Sequence, residues 1–238
     1  MPQAEERISR VSRSKDAARV HYDRLSRGYD VLAGFWERAF REFGLRKLGV
    51  RESDIVLEIG FRTGRGLISL GNSGRSSQIF GVDISHGMCR QARKKIQKAG
   101  LSERVRLIRG DGARLPFRND RFDAVFICFT LELFDTPEIP DVLSECARVL
   151  REGKRLGVVA LSKKRMSSWV GRAYEWAHRT FPRSLDCRPI FAQETVQKGG
   201  FHILDYTLMK NLGLPIEIVV AQKCVLSCSR SAILAPHC

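Results

Sequence analysis

The chain has 238 residues, 43% of them hydrophobic, enough to bury a substantial core and better suited to one domain with an appendage than to two full domains. Its 41 basic and 26 acidic residues leave a formal charge of +15. That favours nucleic acid, an acidic lipid surface or a phosphorylated substrate as a partner, although charges spread along the chain fit a merely solvated basic surface equally well. No stretch reaches the roughly 18 consecutive apolar residues of a membrane-spanning helix. The opening "MPQAEERISRVSRSKDAARVHYDRL" carries charge where a secretory signal needs an apolar core, so a cytoplasmic protein is expected, soluble or peripheral at a membrane.

Residues 1–50 read as a helical cover, aromatic-rich over 13–49 with Tyr22, Tyr29, Phe35, Trp36, Phe40 and Phe43. Five short apolar runs follow, "DIVLEI" (54–59), "QIFGVD" (78–83), "RVRLIRGD" (104–111), "FDAVFICFT" (122–130) and "RLGVVAL" (155–161). Their nearly continuous apolar content predicts strands buried on both faces, and their spacing predicts crossover helices between parallel neighbours. "SHGMCRQARKKIQKAG" reads as such a helix, with Ser85 as N-cap, a stripe of Met88, Ala92, Ile96 and Ala99, and a stop at Gly100. "TPEIPDVLSECARVLREG" has Thr136 at the cap, Pro137 at the first helical position, a stripe of Ile139, Leu143, Cys146 and Leu150, and an exit at Gly153.

An insertion at 162–200 carries a predicted helix, "SSWVGRAYEWAHRTF" (167–181), and a short one in "FAQETVQKGGF". "HILDYTLMK" (202–210) and "PIEIVVAQK" (215–223) predict a closing antiparallel hairpin, which ends the main domain (51–223) and leaves 224–238 as a tail. Cys89, Cys128 and Cys146 fall in predicted core elements and read as small buried hydrophobes of a reducing compartment. In the tail, Cys224, Cys228, His237 and Cys238 lack a second well-spaced ligand pair, so no metal is expected there.

In an open α/β sheet the ligand binds at the carboxyl ends of the strands, and those ends carry the informative residues. Gly60, Gly64 and Gly66 follow the first strand, Asp83 ends the second, and Asp111 with Gly112 and Ala113 follows the third. Glycines permit a tight turn and close backbone approach. An acid at the second strand end suits a ribose diol, and Asp111 with its small neighbours suits an adenine ring. A dinucleotide fingerprint needs glycine at its third and sixth positions. Arg62 and Arg65 stand there, which argues against a hydride-transfer enzyme.

"VLEIGFRTGRG", "GVDIS", "GDGARLPFRNDRFDAVFICF" and "ARVLREGKRLGVV" resemble the successive motifs of class I S-adenosylmethionine-dependent methyltransferases. The resemblance is to the branch of ubiquinone/menaquinone biosynthesis C-methyltransferases and related small-molecule and phospholipid enzymes. It covers about residues 20–223 and is strongest in 55–161. It implies an α/β, Rossmann-like methyltransferase fold, with a seven-stranded, mostly parallel sheet, helices on both faces and an antiparallel last hairpin.

The resemblance also implies S-adenosylmethionine as cofactor. Glu58 and Gly60 to Gly64, including Thr63, would surround its methionine part. Asp83 with Ile84 would meet the ribose, Asp111 with Gly112 the adenine, and Cys128 would line the site or serve the core. Tyr29, in "YDRLSRGYD", would close over the cofactor.

Two positions depart from the family pattern. Lys154 replaces a turn glycine, a surface change. Arg62 replaces the middle glycine of the cofactor loop, adding a Cβ and a cation where the backbone needs positive φ. Weakened cofactor binding is expected, unless the guanidinium pairs with the cofactor's carboxylate or an anionic substrate.

The methyl acceptor expected is a small, hydrophobic or lipid-like molecule, a quinol or phospholipid. The aromatics Trp36, Trp169, Tyr174 and Trp176 fit such a ligand or simply the core. His178, His21, Glu132 and Asp135 are candidate bases by location, with His178 equally a structural histidine. An RNA acceptor, and a non-catalytic binding protein that kept the fold, remain as alternatives.

Overall fold

The structure of the protein, a computed structural model, describes residues 14–26, 36–73, 78–164, 188–211 and 213–224. Two helices come first, α1 (Lys15–Leu25), capped by the Ser14 hydroxyl, and α2 (Trp36–Leu48). The order then alternates: β1 (Ile55–Ile59), α3 (Arg65–Asn72), β2 (Gln78–Asp83), α4 (His86–Lys98), β3 (Val105–Arg109) and β4 (Phe122–Cys128). After two short 3-10 turns, Leu131–Leu133 and Thr136–Glu138, come α5 (Ile139–Val149), β5 (Leu150–Leu161), α6 (Ala192–Lys198), β6 (Phe201–Asn211) and β7 (Leu214–Lys223).

The strands form one sheet in the order β3-β2-β1-β4-β5-β7-β6. The first five run parallel, and β7 lies antiparallel between β5 and β6. The expected sheet and its closing hairpin are thus present. Strand order reverses between β1 and β4, whose carboxyl ends therefore flank a crevice.

Alternation along each strand divides the core into two layers. Leu57, Ile59, Val125 and Ile127 face the side covered by α5 and α6, whereas Val56, Phe126 and Cys128 face α2, α3 and α4. All seven residues of β4 are buried, and each large apolar side chain so placed contributes about 2 kcal/mol of transfer free energy. Glu58, one residue past Leu57, is thereby carried to the α2–α3 side and buried there.

Four expectations need correction. The helix expected to run to Gly153 ends at Val149, because Leu150 is drawn into the sheet opposite Phe122 and is fully buried. Gly153, at φ +69°, bends the start of β5 and is no helix exit. The cap of the preceding turn is Asp135: its carboxylate accepts from the Thr136 amide, and the Glu138 carboxylate reaches back to the Asp135 amide. On α4, Ala99 is exposed, and Cys89 joins Met88, Ala92 and Ile96 on the buried face. Finally, α3 was absent from the predicted elements because "RGLISLGN", with two glycines and a serine, has weak helix propensity; its buried residues Leu67 and Leu70 hold it to the sheet.

Candidate functional site

A cleft opens at the carboxyl ends of β1 to β4. Gly60, Arg62, Asp83, Ile84, Asp111 and Gly112 all line it, with Met88, Leu133 and Phe134 as apolar walls and Lys15, Ala18 and Tyr22 of α1 on top. A smaller annex of about 350 Å³ shares Gly60 and Arg62 with the cleft, and adds Glu37, Arg41, Glu58, Thr63 and Cys128 among its walls. The described site residues thus line one or other cavity except Gly64, whose missing Cβ would lie 2.8 Å from the Ala92 side chain and which therefore serves packing against α4. Tyr29 and His178 lie outside the described residues, as do Trp169, Tyr174, Trp176, Cys228, His237, Cys238 and the side chain of Trp36.

The loop after β1 explains the convergence. Gly60 has φ +72°, and a Cβ there would come within 2.2 Å of the Thr130 side chain, so only glycine fits. Arg62 sits at φ +52°, the left-handed conformation its position was expected to demand, at a cost of about 1–2 kcal/mol for a side-chain-bearing residue. In that conformation its amide donates to Asp83 Oδ2 at 2.8 Å, while the Ser85 amide donates to Asp83 Oδ1 at 2.9 Å. Asp83 is therefore fixed at the cleft wall with further lone pairs free to accept. Burial pushes its carboxyl up to about 6, against the lowering effect of those two amides and of the Arg62 charge.

The Arg62 side chain does not reach into the cleft as an unengaged cation. Its Nη1 pairs with the Glu37 carboxylate, and its Nη2 donates to the carbonyls of Cys128 at 2.6 Å and Phe129 at 2.7 Å. Phe129 is itself left-handed, at φ +48°, and its ring lies 5.9 Å below the guanidinium carbon. Where pairing with the cofactor's carboxylate or an anionic substrate was expected, the cation is paired with Glu37 of the chain itself.

Beside it, Glu58 is buried and pushed up to about 8 by loss of solvent, with Arg41 and Arg62 only partly opposing this. Its Oε2 and the Arg41 Nε are buried without a hydrogen-bond partner among the described residues. Cys128 is buried and its thiol pushed far up by burial; it serves the site through its carbonyl. Thr63 is buried on the annex wall.

Asp111 holds its own loop, accepting from the Ala113 amide at 2.9 Å, and is bridged by Lys15 Nζ at 2.5 Å, which also pairs with Glu138 at 2.9 Å. Helix α1 is anchored at its other end by Asp23, which accepts from the Ser85 hydroxyl at 2.6 Å and the Gly87 amide at 2.7 Å. Of the candidate bases, Asp135 lines the cleft, but Glu132 does not. Glu132 is fully buried, accepts from the Leu161 amide at 3.3 Å and is pushed up to about 7 by burial. His21 lies on α1. Lys154, expected to be a surface change, ties β5 to Asp123 at 2.9 Å. Among the described residues no group of three or more His, Cys, Asp or Glu is placed to hold a metal.

Sequence reading missed Lys15, Glu37, Arg41, Thr130 and Arg188. For Glu37 and Arg41 a signal existed: two opposite charges one helical turn apart on the apolar face of α2.

Residues 56–153 match a family described as "Methyltransferase domain". That stretch of the chain is similar to a methyltransferase domain. The ubiquinone/menaquinone biosynthesis C-methyltransferase UbiE of Pseudomonas savastanoi pv. phaseolicola is 32% identical over 174 residues, covering 73% of this chain and 64% of that protein. UbiE of Azotobacter vinelandii is 31% identical over 147 residues, covering 61% of this chain and 57% of its own length. The chain thus spans less than two thirds of these curated relatives. Among solved structures, the [4+2]-cyclase SpnF superposes with a TM-score of 0.74 at 18% identity, over 92% of this chain and 98% of that one, a likeness of fold alone. The match to a methyltransferase domain agrees with the sheet order and with the cleft at its reversal point. No described helix is long and apolar enough to cross a membrane.

Proposed function

We propose that this chain is an S-adenosylmethionine-dependent methyltransferase acting on a small hydrophobic or lipid-like acceptor, of quinol or phospholipid type. One observation carries the reading: Asp83 and Asp111, at the ends of two successive strands, line one cleft together with the glycine loop of a third. The cleft fits a nucleoside. Asp83 keeps acceptor capacity for a ribose diol, and Gly112 lets Ile59 and Phe134 pack close against the Asp111 loop, where a Cβ would come within 2.8 and 2.9 Å of them.

When bound, the cofactor supplies an electrophilic methyl group; the chain's residues position and enclose it. Ile84, Met88, Leu133 and Phe134 exclude water from the cleft. Besides Asp83 and Asp111, the cleft wall carries the carboxylates Asp135 and Glu138, candidate bases for an acceptor's proton, and His178 is kept as a third candidate. Tyr29 is retained as a lid residue.

Calorimetric titration of S-adenosylhomocysteine tests the cofactor reading. Asp83→Ala is expected to weaken binding about tenfold or more through loss of charge-assisted hydrogen bonds, and equal affinities would remove it. Incubation with radiolabelled methyl donor and quinols, phospholipids or RNA then identifies the acceptor class.

We also infer that one face of the molecule meets an anionic bilayer. Arg90, Arg93, Lys94 and Lys98 lie exposed at helical spacing on α4, and exposed Arg109 ends the neighbouring edge strand. None of the five makes an ion pair among the described residues. Such a face suits a surface from which a lipid-like acceptor is drawn.

A further inference from the structure

Resting on the cofactor reading above, we propose that Arg62 is a built-in cation that fills the annex's acceptor sites and so sets the ligand preference of the site. Nucleosides with a cationic amine, S-adenosylmethionine and its product among them, bind, but less tightly than the same pocket would hold them without Arg62, whereas a nucleoside thioether lacking the amine is indifferent to it. Three observations converge on this.

First, the annex is the continuation of the cleft past Gly60. A nucleoside whose ribose is held at Asp83 sends its 5′ substituent toward the walls the two cavities share, Gly60 and Arg62.

Second, the acceptors at that end are already engaged. Cys128 O, Phe129 O and the Glu37 carboxylate all receive the Arg62 guanidinium, and the contacts to the two carbonyls are 2.6 and 2.7 Å long. Charge-assisted bonds of this length are among the stronger ones in proteins. An ammonium group entering the annex needs acceptors of the same kind, and two like charges drawn to one buried acceptor set repel each other.

Third, the arrangement is held from both ends. The Arg62 backbone is fixed in its left-handed turn by its amide bond to Asp83, and its side chain is buried against Glu37 of α2, with side-chain exposures of 11% and 6%. The guanidinium therefore cannot swing out to solvent without opening the contact between α2 and the loop.

Binding of two nucleoside thioethers separates the possibilities. S-Adenosylhomocysteine carries the α-amino acid, and 5′-methylthioadenosine ends in a methyl group. Each is titrated calorimetrically into the wild-type chain, Arg62→Gly and Glu37→Gln. Glycine suits the left-handed backbone, so Arg62→Gly keeps the loop conformation, and Glu37→Gln loosens the clamp without touching the loop. The expectation is a gain of about tenfold or more for S-adenosylhomocysteine in Arg62→Gly and a smaller gain in Glu37→Gln, with 5′-methylthioadenosine changed by less than about twofold in both. Parallel changes in the two ligands, or no gain for S-adenosylhomocysteine in either variant, would overturn the role of Arg62 and leave the cofactor reading standing. Failure of both ligands to bind any of the three proteins would overturn both.

Discussion

Glu58, Asp83 and Glu132 all feel the Arg62 charge, yet burial outweighs it and pushes their carboxyls up to about 8, about 6 and about 7. An acid whose folded pKa exceeds its unfolded one binds more protons folded than unfolded in the interval between them, so stability falls as pH rises through that interval. For Glu58 the interval runs from 4.5 to about 8. Stability measured by chemical denaturation is therefore expected to drop as pH is raised across that interval. Glu58→Gln, nearly isosteric and uncharged, should flatten the slope by on the order of 1–3 kcal/mol; an unaltered slope in the variant would locate the titration elsewhere. The residues most legible in the sequence were those that punctuate strand ends, Gly60, Asp83 and Asp111, because position at a strand end fixes position at the crevice. Even the strain at Arg62 was legible. The direction of its side chain was not, since Glu37 and the Cys128 and Phe129 carbonyls come from segments distant in the chain and only folding assembles them.

At the scale of elements, the segment between β4 and α5 supplies Leu133, Phe134, Asp135 and Glu138 to the cleft and has only short 3-10 turns of its own. Its conformation is imposed from outside by Arg188. That fully buried side chain donates to the carbonyls of Glu132 at 3.1 Å and Phe134 at 2.5 Å and to the Thr136 hydroxyl at 2.9 Å. Arg188→Leu leaves these acceptors buried without a donor, which should cost about 2–4 kcal/mol of stability. It should also weaken nucleoside binding at a temperature where the variant remains folded. Full retention of affinity, read by calorimetry, would mean that the segment holds its shape unaided. The attachment of α1 through Asp23 yields a second expectation. Asp23→Ala removes the acceptor for the Ser85 hydroxyl and the Gly87 amide, so α1 should exchange its amides faster while the sheet stays protected. Sequence periodicity found nearly every strand because buried parallel strands are almost uniformly apolar. It misplaced the α5–β5 junction because "RVLREGK" contains a helix-exit glycine that the fold uses as a bend inside a strand.

At the scale of the whole molecule, part of the positive charge is gathered on one described face. The solvent face of α4 and the end of edge strand β3 collect Arg90, Arg93, Lys94, Lys98 and Arg109, next to the α1 helix that roofs the cleft and exposes Val20. Each basic residue held near an anionic bilayer is worth about 1 kcal/mol, and the attraction falls off within a Debye length, about 10 Å at 0.1 M salt. Co-sedimentation with vesicles containing phosphatidylserine should therefore be strong at low ionic strength and be lost by about 0.5 M salt, where the Debye length is only a few ångströms. Vesicles of neutral lipid should fail to bind throughout. Reversing charge with Arg90→Glu and Lys94→Glu together should abolish most of the binding without lowering the melting temperature, because both side chains lie on the solvent face of α4, away from the core. Nucleoside affinity should also be unchanged, since neither residue lines the cleft. If the double variant still binds vesicles as the wild type does, the basic charge acts diffusely and this face has no docking role; if it instead loses affinity for RNA while vesicles never bind, the anionic partner is a nucleic acid.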